Sequence, residues 1–437
     1  MKELMDRATK MLKGWKGESY TFGEDVLEAS GKYAKGCGKK ALLVVTELGQ
    51  PWVEKPLDRV KTSLKANGIV FELANGPRPN APREDVYRIS LQVARSKSDM
   101  IVALGGGSTI DAAKASAVLT TYSPSEVTGF LGSSQGDADS IEPYFGTGMV
   151  TKLKEKIGKS VLPVIPVQTA ASSGAHLTKY SNITDLVTNQ KKLIVDEAII
   201  PPASVFDYSV TLSAPISLTL DGALDGIAHA WEVFIGAKDA PYEKLKEVAE
   251  LSIRLIVYGL QRMKKDWRDL EGRKVLGLGT DIGGYSLMLG GTGGPHLGSF
   301  SLIDVLSHGR ACAVLNPYYT VLFAPVIQEP LKIVGAIFKD AGYIKDDINH
   351  LSGRALGLAV AGGMIALEED LNFPTTLREA GATREHLNRM LAAARNPQLK
   401  MKLQNMPTPM DADRGDLERV MKPVLEAAFT GDLSLIP

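Results

Sequence analysis

Residues Ile101–Lys114, IVALGGGSTIDAAK, decide the reading of the first half of the chain. The stretch reads as a buried strand that breaks at three glycines and restarts as a helix. Three consecutive residues without Cβ let backbone N–H groups turn toward a bound phosphate, and the helix adds its positive dipole end at the same point. A pyrophosphate would sit well there. The same glycines would equally serve a tight strand-to-helix turn with no ligand.

Working outward, short β-branched runs alternate with helical spacing: Ala41–Val45, Ile69–Leu73, Met100–Leu104 and Val161–Val167. That alternation predicts βαβ units and a parallel sheet. Beyond residue 208 strand signals nearly vanish, and Glu243–Met263 and Leu356–Glu369 carry apolar residues at three-to-four spacing. We therefore read two domains, an α/β domain over 1–208 and an all-helical domain over 209–437. The stretch Thr120–Gly148, rich in Gly, Ser, Pro and acidic residues, reads as an insertion ordered locally by its aromatic residues.

At 437 residues the chain has room for two cores. Its 50 Lys and Arg balance 50 Asp and Glu, so no global field recommends nucleic acid or a membrane surface as partner. Lys10–Lys16 reads as a solvated helix face. The two cysteines, Cys37 and Cys312, lie too far apart in sequence for a metal knuckle and point to a reducing compartment, with the cytoplasm expected. The charged first residues hold no apolar signal core, and no run is long enough to span a bilayer.

A second constellation lies in the helical half. LDGALDGIAHAWE (220–232) places Asp225 and His229 four residues apart on one helix face, a pair able to chelate a divalent cation. Asp221, a turn earlier, competes for the carboxylate role. GGPHLGSFSLIDVLSHG (293–309) adds His296 and His308 in an apolar setting, so three of the six histidines fall in these two segments. One carboxylate with three imidazoles suits Fe(II) or Zn(II) and leaves a position for a substrate oxygen. Read without a metal, His296 and His308 are hydrogen-bonded core residues.

These motifs, in this order, resemble the iron-containing, or group III, alcohol dehydrogenases, which share a fold with glycerol dehydrogenase and dehydroquinate synthase. The resemblance implies a Rossmann-like domain followed by an all-α domain. GGGSTIDAAK is similar to the family's GGGSxxDxAK, which implies that Gly105, Gly106, Gly107 and Ser108 hold the cofactor's pyrophosphate; Asp111, counted here with the catalytic residues, and Lys114 complete the motif. Glu47 ends the strand expected beside the adenosine ribose, implying NAD, with NADP as the other nicotinamide cofactor considered. Asn80 resembles the family's residue beside the cofactor, and Lys192 leads a strand whose lysine faces it. TAASSGAHLT (169–178) resembles TTAGTGSExT, keeping Thr169, Gly174 and Thr178 but placing Ala170 for a Thr and His176 for the Glu. DGIAHAWE and HGRACAVLNP resemble the segments that supply Asp225, His229 and His308 as metal ligands, with His296 as the fourth.

Phe300 stands where better-known members carry a histidine one turn after the third metal histidine, so proton release needs another route, and His176 is the candidate. The implied activity is metal-dependent hydride transfer between a small alcohol, or its aldehyde or ketone, and NAD. The expected oligomer is a dimer of this chain. A dehydroquinate synthase-like lyase or a polyol or phospho-polyol dehydrogenase is the runner-up. Asp225 in place of Glu and the shortage of basic residues beside His296 and His308 weigh against the lyase. A nucleotide-binding sensor without catalysis is the third reading, opposed by four intact ligand candidates.

Overall fold

The computed structural model describes residues 1–131, 140–172, 174–238 and 241–437. They fall into two compact units, Leu12–Pro215 and Met1–Met11 with Ile216–Pro437.

The first unit is built on nine strands: β1 (Tyr20–Gly23), β2 (Lys40–Val45), β3 (Val70–Asn75), β4 (Met100–Gly105), β5 (Gly146–Thr147), β6 (Val164–Gln168), β7 (Tyr180–Asp185), β8 (Gln190–Val195) and β9 (Ser204–Asp207). Six form a sheet in the order β1-β9-β6-β4-β2-β3, with every pair parallel. The strand alternation explains why both faces are covered. Leu42, Val44, Ile101 and Ala103 point into a core shared with Ile110, Ala113 and Val118 of the helix Gly107–Thr121. Leu43, Val45, Val102 and Leu104 point the other way, onto Val53, Leu57, Val60 and Leu64 of the helix Pro51–Ala66. Pro166 cannot donate to a ladder, and the pairing of β6 with β9 begins at the next residue, Val167.

Beside this sheet lies a smaller one, β5-β8-β7, whose β7–β8 hairpin is antiparallel. The parallel-sheet expectation did not include it. Its turn is made by Asp185 Oδ1, which accepts from the N–H groups of Val187 and Thr188, and by Asn189 at φ 51°. Of the 120–148 stretch, residues 132–139 lie outside the described residues. Its flanks are ordered: Tyr122 and Tyr144 stack with centroids 6.4 Å apart, and Phe145 is buried beside them.

The second unit is helical, as the three-to-four spacing predicts. The helices Ile216–Ile235, Tyr242–Met263 and Leu270–Leu289 pack on one another. The approach of the first and third is backbone-close, because a Cβ on Gly283 would stand 2.9 Å from the Gly226 carbonyl oxygen. No helix among the described residues is long and apolar enough to cross a membrane.

Glu368, on the helix Gly353–Asp370, is a buried acid whose Oε2 has no hydrogen-bond partner among the described residues. Burial, reinforced by Glu369 and Glu379, pushes its carboxyl well above the ordinary 4.5. The folded chain therefore binds this proton more tightly than the unfolded chain, and stability falls as pH rises above the ordinary value. Glu368→Gln removes that slope. Thermal melts from about pH 5 to about pH 8 should show the variant gaining on the wild type as pH rises. A constant difference would mean that the folded chain holds the Glu368 proton no more tightly than the unfolded chain.

Candidate metal and cofactor sites

Three helices of the second unit bring four side chains together. Asp225 and His229 lie one turn apart on Ile216–Ile235, His296 sits on the short helix Gly294–Ser299, and His308 opens the helix His308–Phe323. His229 Nε2 is 3.8 Å from Asp225 Oδ2, while His296 Nε2 and His308 Nε2 are 3.7 and 3.9 Å from Asp225 Oδ1. Donors held about 2.1 Å from one cation stand roughly 3.0 to 3.4 Å apart, so each imidazole is a few tenths of an ångström farther from Asp225 than a shared cation requires. His229 is not in the group whose donor atoms all lie within 4.8 Å of one another, which is Asp225, His296, His308 and Cys312.

Asp225 is only 3 % exposed, and its Oδ1 has no hydrogen-bond partner among the described residues. A buried carboxylate oxygen in that state is costly unless a cation meets it. The donor set therefore fits a divalent cation. Burial pushes His229 down to about 4 against the pull of Asp225, keeping the imidazole in its neutral, metal-binding form.

The supporting contacts aim the rings. Ser299 Oγ donates to the His296 carbonyl at 2.7 Å, so its contact with His308 Nδ1 at 3.0 Å is one in which it accepts, which places the neutral ring's proton on Nδ1. Glu232 Oε1 lies 2.7 Å from His296 Nδ1, and Oε2 accepts from the N–H groups of Gly293 at 2.9 Å and His296 at 3.4 Å. Burial raises the Glu232 carboxyl, opposed by those N–H donors and by the buried ammonium of Lys402. Lys402 bonds Thr292 and lies over the Phe300 ring. Asp221, the competing carboxylate, is engaged elsewhere, accepting from Ser307 Oγ at 2.6 Å and Arg310 Nε at 3.0 Å. Gly309 follows His308 for a steric reason: a Cβ there would stand 2.1 Å from the Asp221 carbonyl oxygen.

Glu232, Lys402 and Cys312 were missed in the sequence. Glu232 lies two turns after Asp225 and Cys312 one turn after His308, spacings that mark a shared face. Lys402 carried no such signal.

In the first unit, β4 ends at Gly105 and the helix starts at Gly107. Gly105 answers a packing demand, since a Cβ would come within 2.5 Å of Thr109, whereas at Gly106 nothing stands closer than Ala170 Cβ at 3.6 Å. Ser108 Oγ accepts from the Asn80 N–H at 3.1 Å, and Thr169 N–H bonds the Gly105 carbonyl at 3.2 Å. The glycine turn, Asn80 and Thr169 thus adjoin one another. Glu47, exposed two residues beyond β2, accepts from Trp52 Nε1 at 2.8 Å. Glu47, Asn80 and Ala81 adopt φ of 44°, 65° and 49°, backbone strain of the kind that gathers at ligand sites.

Other candidates occupy different settings. Asp111 is buried, with Oδ2 accepting from both the backbone and side-chain nitrogens of Asn182, and burial raises it to about 6. Lys114 donates to the carbonyls of Ala175, Thr178 and Tyr180, pinning the 175–180 segment to the glycine-turn helix. Thr178 is buried in that segment. Within 169–178, Ser173 lies outside the described residues. Lys192 bonds Glu142 at 2.8 Å and lies 3.7 Å from Asp185. His176 is 1 % exposed, packs on Tyr20 and Phe206, and has Nε2 3.1 Å from the Tyr20 hydroxyl.

Residues 17–208 match the iron-containing alcohol dehydrogenase family, and residues 219–422 match the C-terminal region of the Fe-containing alcohol dehydrogenase family. The chain belongs to that family of oxidoreductases. It is 27 % identical to 1,3-propanediol dehydrogenase of Citrobacter freundii over 82 % of this chain and 86 % of that protein. It is 25 % identical to long-chain-alcohol dehydrogenase 1 of Geobacillus thermodenitrificans over 91 % and 92 %. Among solved structures, an alcohol dehydrogenase from Oenococcus oeni superposes with a TM-score of 0.78 at 22 % identity, covering 94 % of this chain and 98 % of that one.

The Glu232 contact generates a prediction. Glu232→Gln should weaken divalent-metal affinity by about 10- to 100-fold, the usual effect of losing a carboxylate partner of a ligating histidine. Chelator competition would measure it, with circular dichroism showing an unchanged helix content.

Proposed function

We propose that this chain is an NAD-dependent alcohol dehydrogenase, or aldehyde reductase in the reverse direction, with a divalent cation, iron or zinc, held by Asp225, His229, His296 and His308. The observation that carries the reading is the convergence of three Nε2 atoms on the carboxylate of a buried aspartate. When bound, the cation supplies Lewis acidity at an alcohol oxygen and NAD supplies the hydride acceptor.

The chain's own residues do the rest. Gly106, Gly107 and Ser108, at the N-terminus of a 15-residue helix, present backbone N–H groups to the pyrophosphate. Asn80 and Thr169 border that turn, Lys114 holds the Thr178 segment in place, and Lys192 is a cofactor-side cation balanced by Glu142. Asp111 anchors β7 through Asn182. His176, enclosed by Tyr20 and Phe206, is better suited to holding this segment than to exchanging protons with a substrate. Ser299 and Glu232 keep His308 and His296 aimed. A small alcohol or aldehyde as substrate, a homodimer and a cytoplasmic setting accompany this reading.

The decisive comparison is between His308→Ala and His176→Ala. The first should lose bound metal and at least ~100-fold in turnover with small alcohols while remaining folded; the second should keep its metal. Full metal content and normal turnover in His308→Ala would overturn the proposed site.

Cofactor choice is tested at Glu47. A carboxylate there accepts from the ribose hydroxyls and repels a 2′-phosphate, so the wild type should favour NAD. In Glu47→Gly the ratio of kcat/KM for NAD over NADP should fall by ~10-fold or more, the magnitude of one charge-assisted hydrogen bond. A wild type that uses NADP equally well would remove Glu47 from the ribose site.

A further inference from the structure

Cys312 lies one helical turn beyond His308, so the two side chains share a face of the helix His308–Phe323. It is fully buried. A donor atom from each of Asp225, His296, His308 and Cys312 lies within 4.8 Å of the others. A sulfur and a nitrogen on opposite sides of one cation stand about 4.4 Å apart, the sum of metal distances of about 2.3 and about 2.1 Å. Sulfur is thus within reach of the same ion after a small rotation. A separate observation also points to a cation there: Asp225 Oδ1, buried and without a hydrogen-bond partner among the described residues, faces His296 and His308.

We propose that Cys312 is a ligand of the metal centre, adding a thiolate to the one carboxylate and three imidazoles. This rests on the metal reading above and deepens it. On binding, the S–H bond breaks, a sulfur–metal bond forms, and the proton passes to solvent. A soft donor in an otherwise N/O set shifts preference toward zinc and cobalt and away from magnesium and manganese.

The test is the absorption spectrum of the full chain loaded with Co(II). The expected result is a sulfur-to-cobalt charge-transfer band in the near ultraviolet together with visible d–d bands from the bound ion. Cys37 and Cys312 are the chain's two cysteines, so Cys37→Ser should keep both features and by itself assigns the sulfur band to Cys312. Cys312→Ser should keep the d–d bands, lose the charge-transfer band and bind zinc ~10-fold or more weakly. Visible bands with no charge-transfer band in the wild type, or a band that survives Cys312→Ser, would overturn the thiolate ligand and leave the four-residue site standing. Absence of all cobalt bands would overturn both.

Discussion

A carboxylate buried among three imidazoles is the constraint on which the helical unit depends. Moving one charge out of water costs several kcal/mol even after relaxation, so a buried carboxylate calls for a compensating partner. The surrounding residues serve that requirement. Gly309 lets the start of one helix lie against the backbone of another, Asp221 clamps it through Ser307 and Arg310, and Ser299 and Glu232 take up the Nδ1 sides of His308 and His296. Each Nε2 faces the carboxylate. Burial raises the Glu232 carboxyl and lowers the Lys402 amine while each pulls the other back, so a second layer of buried polar groups adjoins the site.

In the α/β unit the organising group has the opposite sign. Lys114 is a buried ammonium with three carbonyl partners, and burial lowers its pKa to about 7. It ties the glycine-turn helix to the segment that runs into β7. Asp111, one turn earlier, accepts from Asn182 at the third residue of that strand. The glycine turn is therefore braced from below by residues of its own motif.

The central strands of the parallel sheet, β2, β4 and β6, were legible because they are buried on both faces, and unbroken apolar runs have few other readings. β1 and β7 were not, since Tyr20–Gly23 is four residues with a glycine end and Tyr180–Asp185 is largely polar; both are strands through their neighbours. The place of His176 in a cofactor-like motif marks it as a candidate proton relay. Motif position says nothing about enclosure, and Tyr20 and Phe206, distant in sequence, close around it.

The sequence by itself determined what is local or periodic: the strand, glycine turn and helix of 101–114, the helical second half, and the Asp225–His229 pair, because these depend on spacing within one element. The tertiary structure decided what depends on distance between elements. Asp225 rather than Asp221 faces the histidines because Ser307 and Arg310 claim the earlier carboxylate. Donor atoms of His296, His308 and Cys312 come within 4.8 Å of Asp225, and Lys402 comes near Glu232, because segments far apart in the chain pack together. Spacing along a helix is a property of the backbone, whereas which of two carboxylates is left for a cation is settled by hydrogen-bond competition in the folded core.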